Sequence, residues 1–193
     1  MISKSSEYKF EGFIGIDQTQ NSKYNDNNIE QIVSDGIKFL VNGVGSVAGI
    51  NLEVLGTLKK YLDFGFEFPP IIHPSAQISP STKLGYGSLI LENAVVKSDA
   101  IIGNFCIINA LAVVSHDCRI GDYSHLSLGS KIGGGVSIGT NVFLGINSSV
   151  NQEITIESNS IIGSGSAIIS NVPKNSIAVG NPGKVIKERQ NEN

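Results

Sequence analysis

A six-residue beat of aliphatic side chains runs through the middle of this 193-residue chain. Stepping by six from Ile72 gives Ile72, Ile78, Leu84, Ile90, Val96, Ile102, Ile108, Val114, Ile120, Leu126, Ile132, Ile138, Leu144, Val150, Ile156, Ile162 and Ile168, and the series breaks at Lys174. A helix turns once in about 3.6 residues, so a step of six carries the apolar position around it and buries nothing consistently. An antiparallel sheet gives alternation broken by turns of varied length. A constant six fits a coil with three short flat sides, each pointing one aliphatic residue inward. Four residues after each aliphatic one the chain favours small side chains, among them Ala94, Cys106, Ala112, Cys118 and Ser124, as a tight corner needs. The residue just after is often glycine, as at Gly85, Gly103, Gly121 and Gly139, read here as the one that tolerates the corner backbone. Residues 72 to 168 are therefore predicted to form a three-sided parallel β-helix with about 4.8 Å between stacked strands.

Composition narrows the function classes. Net charge is −3, only 16% of residues are charged, and no lysine or arginine stripe runs along the chain. A nucleic-acid groove draws on clustered cations, so none is expected. The N-terminus lacks the apolar core of a signal peptide, and no run approaches the roughly 20 apolar residues of a membrane span. A cytoplasmic location and no membrane partner are expected. Cys106 and Cys118 have neither CxxC spacing nor zinc-like histidine neighbours, so no metal site is predicted. Both fall in the small corner position, on different sides of the prism, and read as buried free thiols.

The N-terminal part follows another pattern. Lys9 to Asp17 reads as a strand, Asn28 to Gly36 as a short amphipathic helix and Lys38 to Val44 as a second, buried strand. Ser46 to Phe64 contains a helix capped by Gly65, and Phe66 to Ile72 is a third strand leading into the repeats. This order suggests a small parallel α/β unit, in which ligands bind at the carboxyl ends of strands, where Asp17 and Gly45 stand. Each of these two is also an ordinary turn residue.

The segments IIHPSAQISPS, VVSHDCRIGDYSHLSLGSKIGG, FLGINSSV and VGNPGKVIK carry a closer likeness. Through nearly the whole chain the sequence resembles the hexapeptide-repeat bacterial sugar acetyltransferases. These include UDP-4-amino-sugar N-acetyltransferases and sialic acid O-acetyltransferases. The resemblance implies a left-handed parallel β-helix over residues 69–193, with a C-terminal extension. It implies a sugar-nucleotide-binding, Rossmann-like α/β domain over residues 1–68 that is N-terminally incomplete. The family begins with a strand and a glycine-rich phosphate loop, whereas this chain starts at what would be the second strand. The expectation is either a natural start upstream of Met1 or a degenerate nucleotide site. The family pattern further implies a homotrimer with acetyl-CoA between subunits. His116 would be the general base, Asp117 its partner, and His125 a contact to acetyl-CoA. Gly134, Ile146 and Ser164 would line the cofactor with backbone, although the family often has glycine where Ser164 stands. Asp17 and Gly45 would contact the sugar nucleotide. Apart from the resemblance, Asn109 reads as a substrate contact near the same pocket as His116 and Asp117.

Acetyl transfer from a thioester needs a base, an oxyanion donor and orientation of both reactants, and the chain supplies the first two within reach of each other. His116 and His125 avoid the inward aliphatic slots, while His73 sits at the entry to the repeats and reads as structural. Eighteen residues after His116, one coil further, lies Gly134 within Gly133–Gly135. A glycine there leaves room beside an imidazole and bares a backbone N–H. Lys184, Lys187 and Arg189 form a charged tail that can also attract CoA phosphates. The acceptor is expected to be an amino or hydroxyl group of a sugar, with O-acetylation of a free sugar as the rival. A non-catalytic scaffold or ice-binding coil is the other alternative, and the regular threonine rows of an ice-binding face are absent.

Overall fold

The computed structural model describes residues 9–15, 22–43 and 52–188. From Ile71 onward the chain winds as a parallel coil of two-residue strands, each preceding a four-residue corner. The strands stack into three sheets that form the sides of a prism. Side one contains Leu89–Ile90, Ile107–Ile108, His125–Leu126, Phe143–Leu144 and Ile161–Ile162. Side two contains Val95–Val96, Val113–Val114 and Lys131–Ile132, and side three Ile101–Ile102, Arg119–Ile120 and Ser137–Ile138, among others. Each corner is numbered here for the side it follows. Pairing joins residues one full coil apart, as in Val113 with Lys131 and Arg119 with Ser137.

The six-residue series is the prism's core. Every member from Ile90 to Ile168 is buried, together with Ala94, Cys106, Ala112 and Cys118 at the corners. The first members differ: Ile72 is 45% exposed, because no coil lies beneath it. The series ends at Lys174 because the last coil is shorter. Ile161 pairs with Ile177, a step of sixteen instead of eighteen. Both cysteines are free and buried, on different corners. Burial pushes the Cys106 thiol up to about 12 and raises that of Cys118 in the same direction.

The glycines after the aliphatic residues are there for a different reason from the one expected. At Gly85, Gly103, Gly121 and Gly139 the backbone does not take positive φ. A methyl group on Gly121 would stand 2.5 Å from the carbonyl carbon of Gly139 and 2.6 Å from the nitrogen of Thr140. These glycines let successive coils touch at corner three. The left-handed backbone falls two residues later, at Asn93, Asp99, Asp117, Asn141 and Asn159 as well as at Gly87, Gly135 and Gly165. Asparagine, aspartate and glycine tolerate that region best.

The N-terminal residues form parallel strands Phe13–Gly15 and Ser22–Asn25 and helices Ile29–Ser34 and Leu52–Asp63. Gly65 takes positive φ and ends the second helix, with Phe66 N–H bonded back to the Tyr61 carbonyl. Over its described part, residues 38–43, the expected buried strand Lys38 to Val44 shows one bridge, Phe39 with Glu67, and Phe39 is 47% exposed. Ser22–Asn25, too polar to signal a strand, pairs instead. This unit has its own core of Tyr24, Ile29, Ile32, Leu58, Tyr61, Phe66 and Phe68, completed by Phe105 from corner three. The Phe105 ring meets Phe68 edge-on at 5.2 Å and stacks on Tyr123 at 5.7 Å. Gly87 beneath makes room for it, since a methyl there would lie 2.3 Å from the ring.

Two outcomes follow from this packing. Gly121→Ala lowers unfolding free energy by about 1–3 kcal/mol, because coils must part to admit the methyl, whereas Gly165→Asn stays within about 0.5 kcal/mol in its open left-handed slot; chemical denaturation of both variants measures the contrast. Native Cys106 and Cys118 resist iodoacetamide near neutral pH and react once unfolded. An unfolded thiol ionises near about 8.5 and the folded Cys106 only at about 12. The folded state then holds the extra proton, so stability declines as pH rises between those values.

Candidate active site

Corner two of the third full coil carries His116 and Asp117, both open to solvent. Asp117 occupies the left-handed slot, with φ of 59°, and this bend turns its carboxylate onto its neighbour's ring. His116 Nδ1 lies 2.8 Å from Asp117 Oδ2. The carboxylate accepts from Nδ1–H, which fixes the tautomer and leaves Nε2 with the free lone pair. Residues adjacent on a flat strand point to opposite faces, so the contact depends on the corner.

The Cε1–Nε2 edge of that ring rests over Gly134, one coil on. A methyl at Gly134 would stand 2.6 Å from Cε1 and 2.7 Å from Nε2. The Gly134 carbonyl accepts from Glu153 N–H at 2.9 Å, while its own N–H has no protein acceptor among the described residues. The three successive glycines have separate causes. Gly133 abuts the backbone of the next coil, with 2.6 Å from a methyl to Gln152 N; Gly134 seats the imidazole; Gly135 takes positive φ. The left-handed slots of this corner also hold Asp99 one coil below Asp117 and Glu153 two coils above it, both exposed.

The remaining candidates sit elsewhere on the prism. His125 points outward from side one, its Nε2 3.1 Å from the Asn109 amide nitrogen and its ring edge-on to Phe143 at 5.3 Å. Asn109 therefore accompanies His125 at corner one, not His116 at corner two. Ile146 and Ser164 stack on the same corner one, tied by Gly165 N–H to the Ile146 carbonyl at 2.8 Å. Ile146 is 46% exposed and Leu128, directly beneath it, 45%. Asp17 and Gly45 lie outside the described residues. One chain thus brings together His116, Asp117 and Gly134, and separately His125, Asn109, Ile146 and Ser164, with side two between the sets. Sequence reasoning passed over Leu128 and Arg119; both occupy outward slots of the six-residue frame, the only signal they carry. Among the described residues no cluster of histidine, cysteine and carboxylate side chains could hold a metal ion.

No family model matches this sequence, and no curated protein does. Solved structures do. PerB from Caulobacter crescentus, in complex with CoA and GDP-perosamine, superposes with a TM-score of 0.81 at 33% identity, over 86% of this chain and 79% of that one. A histidine mutant of perosamine N-acetyltransferase from the same organism, with the same ligands, gives 0.82 at 33% identity over 87% and 78%. The acetyltransferase domain of PglB from Neisseria gonorrhoeae, in complex with acetyl coenzyme A, gives 0.69 at 31% identity over 72% and 68%.

Gly134→Ala is expected to push the imidazole off its seat and separate Nδ1 from Asp117, with little loss of stability because the ring is the free end of a side chain. A crystal structure of the variant, or the His116 imidazole resonances, reports the displacement.

Proposed function

Because this chain belongs to the sugar acetyltransferases built on a left-handed β-helix of hexapeptide repeats, we propose that it moves the acetyl group of acetyl-CoA to an amino group of a nucleotide-linked sugar in surface-glycan synthesis. The observation that carries the reading is the seating of a carboxylate-held imidazole over an unsubstituted glycine. The acceptor nitrogen attacks the thioester carbonyl and passes its proton to Nε2 of His116. The Gly134 N–H donates to the oxyanion of the tetrahedral intermediate, and collapse expels the CoA thiolate, which takes up a proton. No covalent enzyme intermediate is needed, since a thiolate leaves readily. Asp117 holds the tautomer throughout.

Asp99, Asp117 and Glu153 around the imidazole favour the approach of an acceptor amine in its ammonium form, which sheds one proton to solvent before its lone pair attacks, and this supports N- over O-acetylation. Leu128 and Ile146 offer an apolar ridge for the pantetheine arm, with backbone at Ile146 and Ser164 and the His125–Asn109 pair beside it. That ridge and His116 occupy different corners of one chain, and the acetyl-CoA we propose lies between the ridge of one copy and His116 of its neighbour. Side one supports the same reading: Leu89, Ile107, Phe143, Ile161 and Ile177, with His125 as the one polar rung between Ile107 and Phe143, form a half-buried ladder suited to subunit contact in a homotrimer. We assign residues 1–68 to sugar-nucleotide binding, with Asp17 and Gly45 as its contacts, and 69–193 to acetyl transfer. The location proposed is cytoplasmic; no described helix is long and apolar enough to cross a membrane.

Turnover of acetyl-CoA against a panel of nucleotide-linked amino sugars and free sugars tests the reading. His116→Ala is expected to reduce kcat by about 10²–10⁴-fold, and undiminished turnover in that variant removes His116 as base. Asp117→Asn loses about tenfold through the misheld ring, with acetyl-CoA KM little changed.

A further inference from the structure

We propose that Arg119 grips the diphosphate of the acceptor and so makes the enzyme select nucleotide-linked over free amino sugars; this rests on the acetyl-transfer reading above. Within a single coil the chain runs from His116 at corner two, through Arg119 on side three, to Tyr123 at corner three. Tyr123 is where the N-terminal unit is seated, since it stacks on Phe105, which completes that unit's core. Side three is therefore the stretch of surface joining the N-terminal unit to the imidazole. An acceptor with its nucleoside on the N-terminal unit and its amino group at His116 lays the connecting diphosphate along this stretch.

Arg119 is the cation of this stretch at the level of His116; the other side-three cation, Lys83, stands two coils below, paired with Ile101. It stands three residues from His116, a backbone span of at most about 10 Å. Its side chain is exposed, and it makes no ion pair or hydrogen bond among the described residues. Its stacked neighbours are Ile101 below and Ser137 above, neither of which can neutralise it. The strand itself is fixed by Arg119 N–H to the Val136 carbonyl at 3.0 Å, so the base of the side chain does not wander. A guanidinium meets two phosphate oxygens at once through its planar fork, which an amino sugar lacking phosphates cannot exploit. Lys131, by contrast, belongs to side two and already donates to the Gly129 carbonyl at 2.9 Å.

The test compares the full chain with Arg119→Gln and Arg119→Lys. Calorimetric titration with GDP and with UDP requires no turnover and reads the grip directly. A nucleoside diphosphate is expected to bind the wild type and to bind Arg119→Gln about 10- to 100-fold more weakly, with Arg119→Lys between them. Equal affinity in wild type and Arg119→Gln overturns the proposal, as does absence of binding to the wild type. In steady state, KM for nucleotide-linked amino sugars rises at least tenfold more than KM for the free amino sugars. A rise in KM for acetyl-CoA instead gives the guanidinium to the diphosphate of the coenzyme and overturns the proposal. Diphosphate binding that depends on Arg119 without any acetyl transfer leaves this assignment standing and counts against the acetyl-transfer reading alone.

Discussion

Everything in this protein hangs on the backbone hydrogen bonds that tie each two-residue strand to the coil above and below. Val113 N–H reaches the Ser130 carbonyl, and Lys131 N–H reaches that of Ser148. No such strand is stable alone; each becomes one by stacking, and stacking in constant register requires sides of equal length. The six-residue count is thus a mechanical condition before it is a sequence pattern. Once it holds, the position of every outward side chain is fixed by arithmetic, and groups eighteen apart in sequence become vertical neighbours. His116 and Gly134 meet for this reason.

The repeat imposes the same skeleton on three corners and leaves them free to differ chemically. Two slots per corner face outward without serving the core: the one two residues past each aliphatic, and the left-handed one after it. At corner three the latter accepts Phe105 and Tyr123, which anchor the N-terminal unit, and higher up the ladder of Asn141 and Asn159, joined amide to carbonyl at 3.0 Å. At corner two the same slot holds carboxylates around the imidazole. Corner one presents apolar Leu128 and Ile146. The reactive geometry is therefore an addition to the scaffold that costs the core nothing, and no aliphatic position had to be surrendered for it.

What the sequence made legible is what the six-residue frame dictates. The aliphatic series, the buried thiols, the Gly65 cap and the neighbourhood of His116 with Gly134 all follow from spacing or a single local rule. The reason for the corner glycines was misread because spacing says where a residue lies and not which atom crowds it; their true cause is the backbone of the next coil, a contact between residues about eighteen apart. Asn109, only seven residues before His116, pairs instead with His125 in the same chain, because the intervening residues cross side two from one corner to the next. In the N-terminal unit, where no repeat enforces register, Ser22–Asn25 became a strand through pairing while the more apolar described residues 38–43 made one bridge. Asp17 and Gly45 lie where the structure gives no description.

The way the coil finishes has a consequence for the molecule in crowded solution. A parallel stack is an open-ended template, and its last rung offers unsatisfied donors and acceptors to the rung of any other molecule. Here Ser176–Gly180 extends side one and Gly183–Glu188 folds back on it antiparallel, so the growing direction is reversed. The described strand at the rim bears Lys184, Lys187 and Glu188 beside Val185 and Ile186, all solvent-exposed. Charges on a rim strand repel an incoming sheet edge. On side one, a fold whose architecture invites end-to-end fibre growth carries its own terminator in its final dozen described residues.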